Sequence, residues 1–126
     1  MKAPLTFGLT HLAIAVKDLQ RTKAFYQRVF DMEVMYNEAT FIQLTTPGAN
    51  DIIVFEQKES VNVNTGGIAH FGFRLRDPGS AGEMLVRIKD AGGTIIQSGE
   101  FVPGSPYIFF KDPDGYEVEV WYEQPA

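Results

Sequence analysis

Thr10-His11-Leu12-Ala13-Ile14-Ala15-Val16-Lys17-Asp18 is echoed further along the chain by Ala69-His70-Phe71-Gly72-Phe73-Arg74-Leu75-Arg76-Asp77. The displacement is 59 residues, 70 minus 11. Each copy is an alternating segment with a histidine near its start and a basic residue followed by an aspartate at its end. Alternation of period two marks a strand with one buried face. The same displacement carries Phe25, Tyr26 and Val29 onto Met84, Leu85 and Ile88, apolar positions at helical spacing in both halves. A single shift that aligns a strand and the following helix is the mark of a duplicated unit. The two copies fall at about 1–58 and 67–126, joined by the polar stretch Lys58 to Gly66. They are read as modules of one domain spanning 1–126.

Outward from these anchors, each half reads as strand, helix and three strands. In the first, a strand is expected over Phe7 to Val16. Asp18 is placed to cap a helix running to Phe30, because its carboxylate can accept from first-turn N–H groups. Strands follow near Glu33–Tyr36, Thr40–Thr45 and Asp51–Gln57, with a turn at Pro47-Gly48. In the second, the expectation is a strand over Gly67–Leu75 and a helix from Ser80 to Ala91 stopped by Gly92-Gly93. Strands are then expected at Thr94–Gln97, Tyr107–Lys111 and Tyr116–Tyr122, the last two joined by the turn Asp112-Pro113-Asp114-Gly115.

The bulk properties narrow the function. With 126 residues, 44% of them hydrophobic and 21% charged, the chain can bury a core beneath a polar surface. Its net charge of −5 and scattered basic residues argue against nucleic acid and membrane surfaces as partners. The absence of cysteine removes disulfides, thiolate nucleophiles and sulfur-ligated zinc. Met1 to Phe7 holds one lysine and no long apolar run, and no stretch approaches the length of a membrane span, so a cytoplasmic protein is expected.

Strand alternation then points to a site. Leu12, Ile14 and Val16 share one face, and His11, Ala13 and Ala15 the other. Phe71, Phe73 and Leu75 oppose His70, Gly72 and Arg74 in the repeat. On the last strand Val118 and Val120 oppose Glu117, Glu119 and Trp121. A carboxylate on an inward strand face is costly without a partner, and a cation would supply one. Two imidazoles and one carboxylate form a set that suits Fe(II), Mn(II), Ni(II) or Zn(II) and leaves positions open for substrate or water. Each residue also has a plainer reading. A lone histidine is usually a satisfied core residue, but this chain has two in all, both at one place in the repeat. Arg74 is either a solvated strand-end charge or a holder of a substrate anion. Phe41, Phe55, Tyr107 and Trp121 read first as core; Tyr107, Trp121 and Phe55 are also candidates to line a substrate cavity.

These segments resemble the vicinal oxygen chelate superfamily of glyoxalases, bleomycin-resistance proteins and dioxygenases. The resemblance runs through Thr10 to Leu19, Phe25-Tyr26, Phe30 to Val34, Ala69 to Phe73 and Phe110 to Val120, and covers nearly the whole chain. It implies an α+β fold of two βαβββ modules in a cupped, incomplete barrel. It also implies a homodimer, with sites in some members built from both chains, and a metal held by His11, His70 and Glu119 rather than Glu117. Glyoxalases and epimerases add a fourth ligand, a glutamate on the fourth strand that also moves the substrate proton. Aligning Ile52 to Gln57 with that strand puts Ile53 at its position, with Glu56 three residues on as the fourth-ligand candidate. The three-ligand set matches dioxygenases and fosfomycin-modifying enzymes. The former use further histidines as acid and base. The latter bind a phosphonate through cationic and hydroxyl groups, and Ala13 stands where a hydroxyl is expected.

Three functions follow as expectations. The first is a metalloenzyme with Glu119 at its catalytic centre, performing a lyase, isomerase or dioxygenase step on a small oxygen-rich molecule. The second is a non-catalytic binder of an aromatic or cationic small molecule, of the bleomycin-resistance kind. The third is a regulatory domain with a vestigial site.

Overall fold

Asp18 starts the first helix as its position predicts. Its Oδ1 accepts from the N–H groups of Gln20 at 3.0 Å and Arg21 at 3.1 Å, supplying partners that the first helical turn lacks. Helix α1 (Leu19–Phe30) follows strand β1 (Leu12–Val16) and leads into β2 (Glu33–Asn37), β3 (Phe41–Thr45) and β4 (Ile53–Gln57). The second module repeats the order: β5 (Phe71–Arg74), a 3₁₀ turn at Pro78–Ser80, α2 (Ala81–Asp90), β6 (Thr94–Glu100), β7 (Pro106–Lys111) and β8 (Glu117–Trp121). The structure, a computed structural model, describes residues 4–61 and 67–125. The chain divides into two compact units, Met1–Ser60 and Val61–Ala126.

Each unit holds one four-stranded sheet. The orders, β1-β4-β3-β2 and β5-β8-β7-β6, are the same topology. The first and last strands of each unit run parallel, and the remaining neighbours antiparallel. The likeness extends to an irregularity. The register slips between Val34 and Tyr36 opposite β3 and between Ile95 and Gln97 opposite β7. In both modules this bulge lies at the same place in the repeat.

One face of each sheet is core. In the first unit Val16, Ile42, Leu44, Ile53 and Phe55 are buried with Phe25, Tyr26 and Val29 of α1. The rings of Tyr26 and Phe55 lie 4.9 Å apart. In the second, Ile108, Phe110, Val118 and Val120 are buried, as is Ile88 of α2. Each fully buried side chain of this size stabilises the fold by roughly 1.5–3 kcal/mol.

β1 and β5 are shorter than alternation predicts. The reason lies in the partner strand. Leu12 pairs with Ile53, and its N–H donates to the Ile52 carbonyl at 3.1 Å. Before Ile52 the chain bends into a loop whose Asp51 carboxylate accepts from Thr46 N–H and the Thr46 hydroxyl, both at 2.7 Å. The ladder therefore ends there, and His11 stands just outside it. β8 likewise begins only after a tight turn, so β5 opens at Phe71 and His70 precedes it. In that turn Asp112 Oδ1 accepts from the Asp114 and Tyr116 N–H groups, each at 3.0 Å, and Gly115 takes φ 94°, a conformation that favours glycine. Two further boundaries move: β6 reaches Glu100, and Asp77 caps the 3₁₀ turn ahead of α2 through Gly79 N–H at 2.9 Å. Among the described residues no helix is long and apolar enough to cross a membrane.

Candidate metal and substrate site

In the second module, register decides which side chains share the sheet face turned away from α2. Gly72 pairs with Glu119 and Arg74 with Trp121. Phe109 pairs with Glu119, Tyr107 with Trp121, and Lys111 with Glu117. Paired residues point to the same side. The face therefore carries Glu117, Glu119 and Trp121 on β8, beside Tyr107, Phe109 and Lys111 on β7. Phe71, Phe73, Val118 and Val120 occupy the other side, as alternation predicts.

His70 stands at the head of this face. Its Nε2 lies 3.7 Å from Glu119 Oε1, and its Nδ1 lies 3.6 Å from Glu117 Oε2. The ring meets Phe109 edge-on, with centroids 5.1 Å apart and planes at 87°. Gly72 makes room for the Glu119 side chain: a Cβ there would lie 3.1 Å from the Glu119 carbonyl oxygen and 3.5 Å from Oε1. Two ligands bound to one divalent ion at about 2.1 Å stand roughly 3–3.4 Å apart. The Nε2 to Oε1 separation is close to that range and too long for a direct hydrogen bond. An imidazole and a carboxylate, over a glycine that leaves them space, are donors of the kind that divalent ions accept.

Aromatic rings cover the far half of the same face. Phe101, in the loop after β6, stacks on Tyr107 at 4.1 Å and 14° and meets Trp121 edge-on at 5.9 Å. Tyr107 in turn meets Phe109 at 5.7 Å. The Tyr107 hydroxyl accepts from Gln97 Nε2 at 2.9 Å, which fixes the ring's tilt. Arg74, the anion-holding candidate, is bound to Glu123 at 2.7 Å.

The first module supplies one expected ligand. His11 is exposed, with Nδ1 2.6 Å from the Thr10 hydroxyl. Its sheet face turned away from α1 carries Ala13, Ala15, Phe41, Gln43, Val54 and Glu56 by register. Two expectations change here. Leu12 pairs with Ile53 as Phe71 pairs with Val118, so the counterpart of Glu119 is Val54, not Ile53. Ile53 lies on the core side. Glu56 does share the outer face, two residues past Val54, but it is the counterpart of Trp121 and lies 3.8 Å from Lys58. Phe55, expected as cavity lining, is fully buried against Tyr26 beneath α1 and belongs to the core.

Among the described residues no cluster of three or more His, Asp or Glu side chains is arranged to hold a metal. Of the expected ligands, His70 and Glu119 approach each other in one module, and His11 belongs to the other. Sequence reading passed over Phe101, Phe109 and the contact of Glu117 with His70. The alternation of Glu117 with Glu119 was a signal for the last, but only strand register puts Glu117 opposite the histidine.

The family model for the Glyoxalase/Bleomycin resistance protein/Dioxygenase superfamily matches residues 8–120. An uncharacterised protein of Pseudomonas aeruginosa is 30% identical over 93% of this chain and 89% of its own length. A lactoylglutathione lyase of Salmonella typhimurium is 28% identical over 89% of this chain and 90% of its length. A catechol-2,3-dioxygenase of Bacillus subtilis is 27% identical over 92% of this chain, which spans 42% of that protein. Among solved structures, the fosfomycin resistance protein FosX of Listeria monocytogenes superposes with a TM-score of 0.81 at 26% identity, covering 95% of this chain and 96% of its own. A variant of that protein complexed with Mn(II) and 1S,2S-dihydroxypropylphosphonic acid gives a TM-score of 0.80 at 26% identity, over 95% of this chain and 93% of that one.

Proposed function

The chain belongs to the glyoxalase/bleomycin-resistance/dioxygenase superfamily, and from that premise we propose a divalent-metal-dependent enzyme acting on a small oxygen-rich molecule. His11, His70 and Glu119 are its proposed ligands, and a homodimer is its proposed assembly. The observation that carries this reading is the approach of His70 Nε2 to Glu119 Oε1 at 3.7 Å above Gly72. The ion would act as a Lewis acid, holding adjacent substrate oxygens and stabilising charge that develops on them.

The protein's own residues define the rest. Gly72 and Ala13 leave room beside the ligands. Tyr107 and Trp121, held by Phe101 and Gln97, form a wall suited to a planar substrate face. Arg74 would have to leave Glu123 to meet a substrate anion. Val54 at the counterpart of Glu119 leaves that strand position without the carboxylate that four-ligand glyoxalases use to move a proton. The Glu56 candidate lies one alternation further along, beside Lys58. These features favour a three-ligand oxygenase over a glyoxalase-type isomerisation, with a group other than histidine serving as acid and base, because both histidines are ligands in this reading.

The experiment is a paired assay on metal-reconstituted protein. Oxygen uptake with Fe(II) on catechols is expected to exceed turnover of a thiol–ketoaldehyde adduct with Ni(II) or Zn(II). Turnover of the adduct alone would reverse the preference, and inactivity of both with every ion would count against the enzyme reading. The run of rings from Phe109 to Trp121 also favours a second reading, a binder of planar molecules. Tight binding of such a ligand, unchanged by chelator and without turnover, would select it.

A further inference from the structure

Ahead of β1, the segment Pro4 to His11 joins neither sheet. Its hydrogen bonds are local, from Gly8 N–H to the Thr6 hydroxyl at 3.3 Å and between the Thr10 hydroxyl and His11 Nδ1 at 2.6 Å. Ladder bonding begins with Leu12. Yet Leu5, Phe7 and Leu9, large apolar side chains at alternate positions of this segment, are exposed at 103%, 111% and 98%. No other large hydrophobic among the described residues exceeds the 59% of Ile68. A single exposed apolar side chain is ordinary, but three at full exposure on one short segment have the character of a contact surface. The same chain offers a second apolar stretch. Val34, Met35 and Tyr36 are exposed in succession on β2, the outer strand of the first sheet. Met35 is the extra residue of the β2 bulge. A bulge disrupts an edge as a template for strand pairing, so β2 presents side chains rather than a free ladder.

We propose that the Leu5–Leu9 segment of one copy is buried on the β2 side chains of a second copy, and that the exchange is reciprocal. This rests on the homodimer proposed above, names the segments that seal it, and takes nothing from the metal. Area argues for a second copy. One phenylalanine and two leucine side chains bury roughly 500 Å², and the surface they cover about as much again. Two reciprocal contacts give roughly 2,000 Å², at the upper end of the range of about 1,200–2,000 Å² for stable complexes, whereas a single contact falls short. A two-fold pair needs both patches on each partner, and this chain carries both. Charge agrees. The net charge of −5 opposes self-association, but Pro4 to Thr10 and Val34 to Asn37 hold no charged side chain, so two acidic copies can meet there.

The test is sedimentation equilibrium on the full chain. Wild type should be dimeric at micromolar concentration. The triple variant Leu5→Ser, Phe7→Ser, Leu9→Ser should raise the dimer Kd at least about 100-fold, and the double variant Met35→Ser, Tyr36→Ser at least about tenfold. All five side chains lie outside the buried core, so far-UV circular dichroism of both variants should match wild type. A photo-crosslinking benzophenone amino acid in place of Phe7 tests the contact with the rest of the chain intact. It should give a covalent dimer joined at the peptide that holds Val34 to Tyr36. A monomeric wild type, a dimer undiminished in either variant, or crosslinks that stay within one chain or land elsewhere would overturn the proposal. An undiminished dimer in the triple variant would still leave the homodimer standing. A dimer that depends on both segments but binds no divalent ion would uphold this inference while the proposed function falls.

Discussion

The two modules share a core and differ on the opposite sheet face. Strand order, parallel pairing of first and last strands, and even the bulge opposite Leu44 and Phe110 are common to both. On the face turned from the helix, the first module sets Val54, Gln43 and Phe41 where the second sets Glu119, Phe109 and Tyr107. Packing constrains the covered side, because a lost or added methylene there costs stability. The other side tolerates exchange, and there the second module sets a carboxylate and aromatic wall beside its histidine, while the first sets Val54, Gln43 and Phe41, with Glu56 at the Trp121 position. A duplicated scaffold thus carries two differently furnished outer faces.

The comparison breaks most readily at the core. Phe55→Ala should destabilise the protein by about 3–5 kcal/mol in denaturant unfolding. Tyr107→Ala, on the outer face of the other module, should cost about 1 kcal/mol. Comparable losses would contradict the division of faces. Next comes Val54→Glu, which rebuilds in the first module the carboxylate of the second. It should lower the stability of metal-free protein by about 2–4 kcal/mol, since Val54 is nearly buried. If this face meets the ion, added divalent metal should raise the melting temperature of the variant by more than that of wild type. Gly72→Ala should cost about 1–3 kcal/mol, through the 3.1 Å approach to the Glu119 backbone. It should also weaken metal binding in calorimetry, whereas Ala13→Gly in the first module should leave binding nearly unchanged. The smallest contrast is at the caps. Asp18→Ala removes two acceptor contacts and should cost about 1 kcal/mol, with Asp77→Ala costing less because it caps only a 3₁₀ turn.

The repeat made the fold readable. A strand and a helix aligned by one shift, capped by Asp18 and Asp77, leave few topologies open, and the turn at Asp112 to Gly115 locates the last strand. The ends of β1 and β5 were not readable, because alternation continues past the point where the neighbouring strand stops. The exchange of Ile53 for Val54 has a similar origin: the segment before β4 has no counterpart of the Asp-Pro-Asp-Gly turn to anchor an alignment, and only the ladder shows the true register. Phe55 was misplaced for the same reason, since a one-residue slip sends every side chain to the other face. His11, His70 and Glu119 were legible as chemistry from residue type and place in the repeat. The wiring of His70 to Glu117 was not, because it depends on which residue of β8 faces the head of β5.

The most direct test of the account is metal content, measured by mass spectrometry on protein purified without chelator or affinity tag, in wild type and in His11→Ala, His70→Ala and Glu119→Ala. The account predicts close to one divalent ion per chain in wild type and loss of that ion in each folded variant. A folded wild type with no affinity for any divalent ion, or variants that keep the ion undiminished, would contradict it.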